Sequence, residues 1–380
     1  MPLQSLRCAF MRGGTSKGLV FDERDLPDSR EEWDVIFLAA MGSPDPNKRQ
    51  LDGMGGGVSS LSKVCVVGPS SREDADVDYT FAQVSVTDDT VDYSGNCGNM
   101  SSAIGPFAVY RDMVQAPDTG GAMVRIYNTN TGKVIHSHFQ VENGQPVSGG
   151  DFVLDGVAGA AAPIRLDFMN PAGAKTGKLL PSGFASDILT LPDGRRVKAS
   201  LVDVANPFVF VDGRDLGMNG RELPSELEEN SALKERLEQI RCAASVAMNM
   251  ASDLQSASAT IALPKITALF PMIDAPTISG ETIRSGDADI LSRTVSVGQF
   301  HNAIPLTGAL CLASAMRIPG TVAANLMGGG TGATGLTIAH PSGCIVVDGE
   351  VYGSGEELSI PRVSAFRSAR LLFDGAVYFE

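Results

Sequence analysis

The run NCGNMSSAIGPFAV, from Asn96 to Val109, decides the fold. A short polar lead flanked by glycine gives way to small and apolar residues that continue to about Ala108, the pattern of a helix buried on nearly every side. A second run of the same kind, FHNAIPLTGALCLASAM from Phe300 to Met316, starts about 204 residues later, slightly over half of the 380-residue chain. Each half is therefore expected to hold one central helix wrapped by strands, with the join near Pro181-Ser182-Gly183. The expected domains are 1–183 and 184–380, the second built on a helix near 303–317. Duplication of this kind leaves a cleft between the halves. Both helix N-termini can point into it, and their free N–H groups and dipoles suit carboxylates.

Composition supports an enzyme with a sizeable core. Hydrophobic residues make up 43% and charged residues 19%, and 42 Gly and 21 Pro imply many tight turns. The 30 Lys and Arg against 44 Asp and Glu give a net charge of −14, which argues against nucleic acid and anionic membranes as partners. No basic start precedes a long apolar run, and no window of about 18 uninterrupted apolar residues occurs. A soluble, cytoplasmic protein is expected. Six Cys form no CxxC pair, and four His never fall at a zinc-ligand spacing, so neither a disulfide framework nor a metal site is expected. His136 and His138 share a strand face, but two ligands are too few.

Outside the central runs, Ser29-Arg30-Glu31-Glu32 reads as a capping box opening a helix whose Trp33, Ile36, Phe37 and Ala40 share one face. Strands are expected at 63–68, 79–87, 122–128, 133–141, 201–212, 259–269, 334–339, 344–348 and 369–379. Long helical patterns occupy about 98–112, 224–250 and 303–317; the charged middle one reads as a solvated outer helix.

Three segments carry chemistry. Arg12-Gly13-Gly14-Thr15-Ser16-Lys17-Gly18 is Gly-rich and basic, but its spacing is not that of a phosphate loop. It reads either as a carboxylate grip through backbone N–H groups, hydroxyls and cations, or as a plain turn. A second Gly-rich loop, from Asp52, feeds directly into the apolar strand Val64-Cys65-Val66-Val67, so Lys63 stands where loop becomes buried strand. Desolvation favours the neutral form of a lysine and suits it to act as a general base; a surface lysine at a strand end fits the same spacing. Cys97 lies between Gly95-Asn96 and Gly98-Asn99 at a helix start, where free N–H groups favour a thiolate. The other five Cys fall in apolar or regular segments and read as inert core thiols.

The strings MRGGTSKG (Met11 to Gly18), LDGMGGGVSSLSK (Leu51 to Lys63), DYSGNCGNMSSAIGPFAV (Asp92 to Val109), GKLLPSG (Gly177 to Gly183), DVANPFVFVDGRDLG (Asp203 to Gly217) and HPSG (His340 to Gly343) resemble the 2-methylaconitate isomerase, or PrpF-like, family. The resemblance runs across nearly the whole chain in order. It implies a fold similar to diaminopimelate epimerase, an α/β (α+β) architecture of two pseudo-symmetric domains, each a curled, mostly antiparallel sheet around a central helix.

It also implies a cofactor-independent isomerase that moves a proton along an allylic system in an unsaturated di- or tricarboxylate, by double-bond shift or cis-trans isomerisation. No metal or cofactor is then needed, and a homo-oligomer is an option. The catalytic pair falls by resemblance on Lys63 and Cys97. The second central helix opens with Phe300-His301-Asn302 and lacks the second cysteine of diaminopimelate epimerase, so the lysine supplies the other titrating group. Expected substrate contacts are Arg12, Gly14, Thr15, Ser16 and Lys17 in the first loop and Gly57, Ser59 and Ser60 in the second. Gly98, Asn99 and Met100 at the first central helix, and His301, Ser342 and Gly343 in the second half, complete the set. Ala205-Asn206-Pro207-Phe208 resembles methylaconitate-type and methylitaconate-type members, and an aconitate-type isomerase belongs with them. The alternatives are a 4-oxalomesaconate tautomerase of aromatic-acid breakdown and a non-catalytic carboxylate-binding protein.

Overall fold

The computed structural model describes residues 3–93, 95–260, 263–296, 298–327 and 335–380. In chain order the main elements begin with β1 (Gln4–Gly13), β2 (Ser16–Asp22), α1 (Arg30–Met41), β3 (Lys63–Pro69), β4 (Val77–Val84) and α2 (Gly98–Tyr110). They continue with β5 (Thr119–Asn128), β6 (Lys133–Glu142), β7 (Ile164–Met169), β8 (Asp187–Thr190), β9 (Arg196–Val204) and β10 (Asn206–Asp212). Next come α3 (Pro224–Glu228), α4 (Ser231–Ala247), α5 (Leu254–Ala259), β11 (Lys265–Phe270), β12 (Ile290–Ser296), α6 (Leu306–Arg317) and α7 (Val322–Leu326). The last are β13 (Leu336–His340), β14 (Gly343–Tyr352), β15 (Ser359–Arg367) and β16 (Ala369–Phe379).

Two compact units divide the chain, Met1–Met169 with Phe366–Glu380 and Asn170–Ala365. The division falls at 169/170, not at the expected 183/184, and returns the C-terminal strand to the first unit. The physical reason is a ten-position antiparallel pairing that lays β16 along β1 from Gln4↔Phe379 to Gly13↔Ala369.

Within each unit the strands pair in the same order. In the first, β1 and β2 form a hairpin, β2 runs parallel to β3, β3 is antiparallel to β4, β4 parallel to β5, and β5 antiparallel to β6. In the second, β9, β10, β11, β12, β13 and β14 repeat antiparallel, parallel, antiparallel, parallel, antiparallel. This repetition is the duplication expected from the two apolar runs. The second unit places α6 where the first places α2, between the fourth and fifth strands of the series.

The central helices are buried because their sequences leave no polar face. From Gly98 to Val109 only Asn99 is not buried, and Leu306 to Met316 are all buried. A glycine in each lets a neighbour approach: a Cβ on Gly105 would sit 2.7 Å from Ser137 Oγ, and one on Gly308 would sit 2.7 Å from the Phe208 ring. The outer face of the first sheet is covered by α1, whose Trp33, Ile36, Phe37 and Ala40 pack with Phe10, Leu19 and Phe21. In the second unit α4 does the same through Leu233, Leu237, Ile240 and Ala244.

Some expected boundaries shift. Ser29 is the N-cap of α1, but its hydroxyl donates to Glu31 Oε2 at 2.6 Å and no capping box forms. The expected strand 201–212 is a hairpin, because Ala205 takes φ +60° and turns β9 back as β10. The expected helix 224–250 is broken at Asn230, which caps α4 through its side chain. The helix expected from 303 begins at Leu306, with Pro305 as its N-cap. Residues 261 and 262 of the expected strand 259–269, and residue 334 of the strand 334–339, lie outside the described residues. Among the described residues no helix is long and apolar enough to cross a membrane.

Candidate active site

Arg12-Gly13-Gly14-Thr15-Ser16-Lys17-Gly18 is the β1–β2 hairpin, with Gly13 opposite Ser16 and a tight turn at Gly14-Thr15. The turn needs its glycines because it lies on the first turn of α2. A Cβ on Gly13 would stand 2.7 Å from Asn99 O, and one on Gly14, at φ +53°, 2.3 Å from Asn99 Oδ1. Asn99 Nδ2 donates to Thr15 Oγ1 at 3.0 Å, which pins the turn to the helix start. Arg12 serves the same hairpin: its Nη1 donates to Gly14 O (2.9 Å) and to Ser368 O (3.0 Å). Ser16 is buried, and Lys17 holds its ammonium 5.5 Å over the Phe10 ring.

Lys63 is the first residue of β3 and only 7% exposed, so the buried reading of that lysine holds. Its Nζ donates to Gln83 Oε1 at 2.6 Å and lies 4.9 Å from the centre of the Phe81 ring. Gln83 is held in turn, since its Nε2 donates to Ser59 O (3.0 Å) and Ser62 O (2.8 Å). Ser59 and Ser60 form a short 3-10 turn ahead of β3. Gly57, at φ +73°, donates its N–H to Gln50 Oε1 at 2.9 Å, so the side chain of Gln50 braces the second loop. On the other side Gly18 packs on the lysine backbone, where a Cβ would stand 2.2 Å from Lys63 O.

Cys97 is the N-cap of α2, extended at φ −99°, ψ 97°, and half-buried; its carbonyl accepts the first helical bond, from Ser101 at 2.9 Å. Among the described residues nothing accepts from the N–H groups of Gly98, Asn99 and Met100, which are the orphan donors of this helix start. The Met100 side chain is fully buried, so only its backbone is available to a ligand.

Lys63 and Cys97 belong to one electrostatic neighbourhood. Burial pushes the Cys65 thiol well above the ordinary range; the Tyr79 hydroxyl 3.7 Å away opposes this, the Cys97 charge adds to it, and the Lys63 charge opposes it. Tyr79 is also pushed up, chiefly by burial and then by the two thiols. Cys65 is therefore inert. Cys8, Cys242 and Cys311 are buried as well, with burial as the main cause raising each thiol, whereas Cys344, expected to be a core thiol, is half-buried like Cys97 because it lies near the start of β14.

Sequence reasoning missed Gln83, Tyr79 and Arg367. Arg367 is 5% exposed, and its Nε donates to Asn99 Oδ1 at 3.1 Å. Burial pulls its pKa down to about 10, and the Cys97 charge works against that.

In the second unit Lys265 opens β11 as Lys63 opens β3, and His301 precedes α6 as Cys97 precedes α2. His301 reaches solvent, yet packing on its protein side is the main cause lowering its pKa, and the Lys265 charge adds to it. Its Nδ1 accepts the Ala303 N–H at 3.1 Å. His340-Pro341-Ser342-Gly343 is the β13–β14 turn, and the Ser342 hydroxyl donates to Asn302 O, tying that turn to the lead of α6. Gly343 has φ +138°. Among the described residues no group of three or more His, Cys, Asp or Glu side chains could hold a metal ion.

Known proteins are similar to this chain in sequence and in fold. The chain is 40% identical over 375 residues to a 3-methylitaconate isomerase of Eubacterium barkeri, covering 98% of this chain and 97% of that one. A 2-methyl-aconitate isomerase of Shewanella oneidensis is 36% identical, at 99% and 97% coverage, and a 4-oxalomesaconate tautomerase of Pseudomonas putida is 38% identical, at 97% and 95%. The crystal structure of a methylitaconate-delta-isomerase superposes with a TM-score of 0.89 at 40% identity, covering 100% of this chain and 97% of that chain. A hydroxyproline epimerase from Agrobacterium vitis, only 10% identical, still reaches a TM-score of 0.54 over 98% of this chain and 92% of its own, which places the fold among the epimerase-like folds, as expected. The PrpF protein family model matches residues 4–380, and with these relatives it establishes that the chain is an isomerase belonging to the PrpF family.

Proposed function

We propose that the first unit carries the proton-transfer site of a cofactor-independent allylic isomerase, with Lys63 and Cys97 as its acid–base pair and an unsaturated di- or tricarboxylate as substrate. The observation that supports it most is the convergence of a buried lysine, a helix-capping thiol and three orphan N–H donors in one neighbourhood. A C–H flanked by a conjugated double bond and a carboxylate is acidic enough for such a pair. One group removes the proton, the electron pair spreads into a dienolate, and the other returns a proton at the third carbon, so the double bond moves. Charge developing on the dienolate oxygens is met by fixed N–H donors, which need no reorganisation.

Methylitaconate-type and methylaconitate-type acids, with aconitate beside them, are the preferred substrates, on the identity to the relatives so named. The 38% identity to a 4-oxalomesaconate tautomerase supports a second reading, in which the same proton transfer acts on a keto-enol system. A panel of these acids incubated in deuterated water and followed by proton NMR tests both readings. Double-bond shift with deuterium incorporation is expected for a methyl-substituted acid. Exchange with oxalomesaconate alone would select the second reading, and exchange with none would overturn both.

A further inference from the structure

Among the described residues the buried arginines are Arg241, Arg293 and Arg367, and Arg367 alone has neither a carboxylate nor three backbone acceptors. Arg293 donates to three backbone carbonyls, those of Glu222 (2.8 Å), Ser292 (2.9 Å) and Gly220 (2.7 Å). Arg241 pairs with Glu238 at 2.6 Å, and Arg111 has Asp374 at 2.7 Å. Arg367, 5% exposed at the end of β15, donates Nε to Asn99 Oδ1 (3.1 Å) and Nη1 to Phe366 O (2.8 Å). Among the described residues no carboxylate pairs with it and no protein group accepts from its Nη2, an atom that is not sealed from solvent. Removing a guanidinium from water is costly unless an anion or a full set of acceptors replaces the water, so this cation is under-compensated within the chain.

Its surroundings indicate what completes it. Asn99 is the second residue of α2, two positions after Cys97, and the amide cannot turn over freely because Nδ2 is engaged by Thr15 Oγ1 at 3.0 Å. The guanidinium is therefore held by its Nε edge beside the helix start that carries the orphan N–H donors.

We propose that Arg367 receives a carboxylate of the substrate and that Asn99 positions it to do so. This rests on the reading of the first unit as the proton-transfer site and adds to it the group that recognises the acid's charge. A planar guanidinium with a free Nη2 matches a carboxylate better than an ammonium would, so lysine should not replace it.

The test compares Arg367→Gln, Arg367→Lys and Asn99→Asp with the unaltered protein. The readouts are KM and kcat with methylitaconate, calorimetric Kd for a saturated tricarboxylate that cannot turn over, and Tm. Both Arg367 variants should raise KM and Kd by about 10- to 100-fold, the scale of one charge-assisted hydrogen bond. Asn99→Asp should weaken tricarboxylate binding by a similar factor with an equal or higher Tm, because it places a carboxylate on the guanidinium without emptying the site. If Arg367→Gln does not fold, the other two variants decide. Unchanged Kd in Arg367→Lys and Asn99→Asp, with only Tm altered, overturns the proposal. Because calorimetry needs no turnover, a loss of binding in these variants together with full activity in Lys63→Ala and Cys97→Ser would refute the acid–base pair and leave the anchor standing.

Discussion

Lys63 Nζ donates to Gln83 Oε1 at 2.6 Å across the β3–β4 ladder, where the two residues are directly paired. The acceptor is itself fixed, since the amide nitrogen of Gln83 is committed to the carbonyls of Ser59 and Ser62. The Phe81 ring below completes a three-sided mount. A lysine has about 2 kcal/mol of rotamer entropy to lose on being fixed, and here the sheet register fixes it before any substrate arrives.

Lys63→Ala should abolish turnover while the fold persists, because the side chain ends in a hydrogen bond and not in the core cluster of α1. A general base contributes on the order of 10²–10⁴-fold, so more than about a tenth of the rate remaining would remove Lys63 from the mechanism. Steady-state rates with circular dichroism as the fold control decide it.

Gly18→Ala tests the backbone under the same lysine. The added Cβ would lie 2.2 Å from Lys63 O, a backbone atom that can yield only by shifting the β2–β3 ladder. Overpacking of this kind costs about 1–3 kcal/mol, and here it also displaces the lysine. A lower Tm together with a lower kcat is expected; wild-type values of both would show that the strand gives way without consequence.

The hairpin cations should separate by readout. Arg12 is committed to the carbonyls of Gly14 and Ser368, and burial is the main cause lowering its pKa, with Arg370 adding. Arg12→Gln should therefore lower Tm before it alters KM. Among the described residues the Lys17 side chain makes only its contact with Phe10, so Lys17→Ala should raise KM by the worth of one charge-assisted hydrogen bond, about 1.5–3 kcal/mol, at nearly constant Tm. An unchanged KM in Lys17→Ala would return this loop to a plain turn.

Acid stability should depend on Asp76. Burial pushes its pKa up, but the Arg125 side chain (Nη2 to Oδ1 2.6 Å), the Arg125 backbone N–H (2.7 Å to Oδ2) and the Arg125 charge together pull it below the ordinary carboxylate value. A carboxyl that is more acidic folded than unfolded stabilises the fold above its unfolded pKa of about 3.9, and that stability is lost as pH falls through the folded value. The Tm difference between the wild type and Asp76→Asn should thus be largest near neutrality and shrink below about pH 4. A gap constant from pH 7 to pH 3 would show that the pair is not proton-linked.

What was legible in the sequence followed from periodicity and spacing. The duplicated helices, the buried start of β3 at Lys63 and the cap position of Cys97 are local patterns, and each is where the residues implied. What was not legible depends on partners far along the chain or on one dihedral angle. Arg367 lies 268 residues from Asn99, so the hydrogen bond between them is invisible to any window. One signal was available: Val363, Ala365 and Arg367 alternate and are all buried, an arginine on the inward face of an apolar strand. Gln83 sat inside an expected strand, but its function depends on the register that places it opposite Lys63. The split of 201–212 turned on the left-handed φ of Ala205, a conformation that alanine does not advertise.

Cys97 is where the helix start and the family assignment converge, and it carries the sharpest test. Half-buried at the cap, beside three N–H donors without described acceptors, it is open to reagents in a way that the buried thiols of Cys8, Cys65, Cys242 and Cys311 are not. Iodoacetamide should alkylate it faster than any of these, and a bound tricarboxylate should protect it. Cys97→Ser preserves shape and hydrogen bonding but substitutes a much weaker acid, so kcat should fall by about 10²-fold or more while KM and tricarboxylate Kd change little. If the thiol only donates a hydrogen bond to the dienolate, the serine variant keeps most of its rate and deuterium still enters the product. Alkylation of Cys97 no faster than that of Cys8 or Cys242, combined with a Cys97→Ser enzyme at full rate, would leave Lys63 to move the proton both ways and end the two-group mechanism.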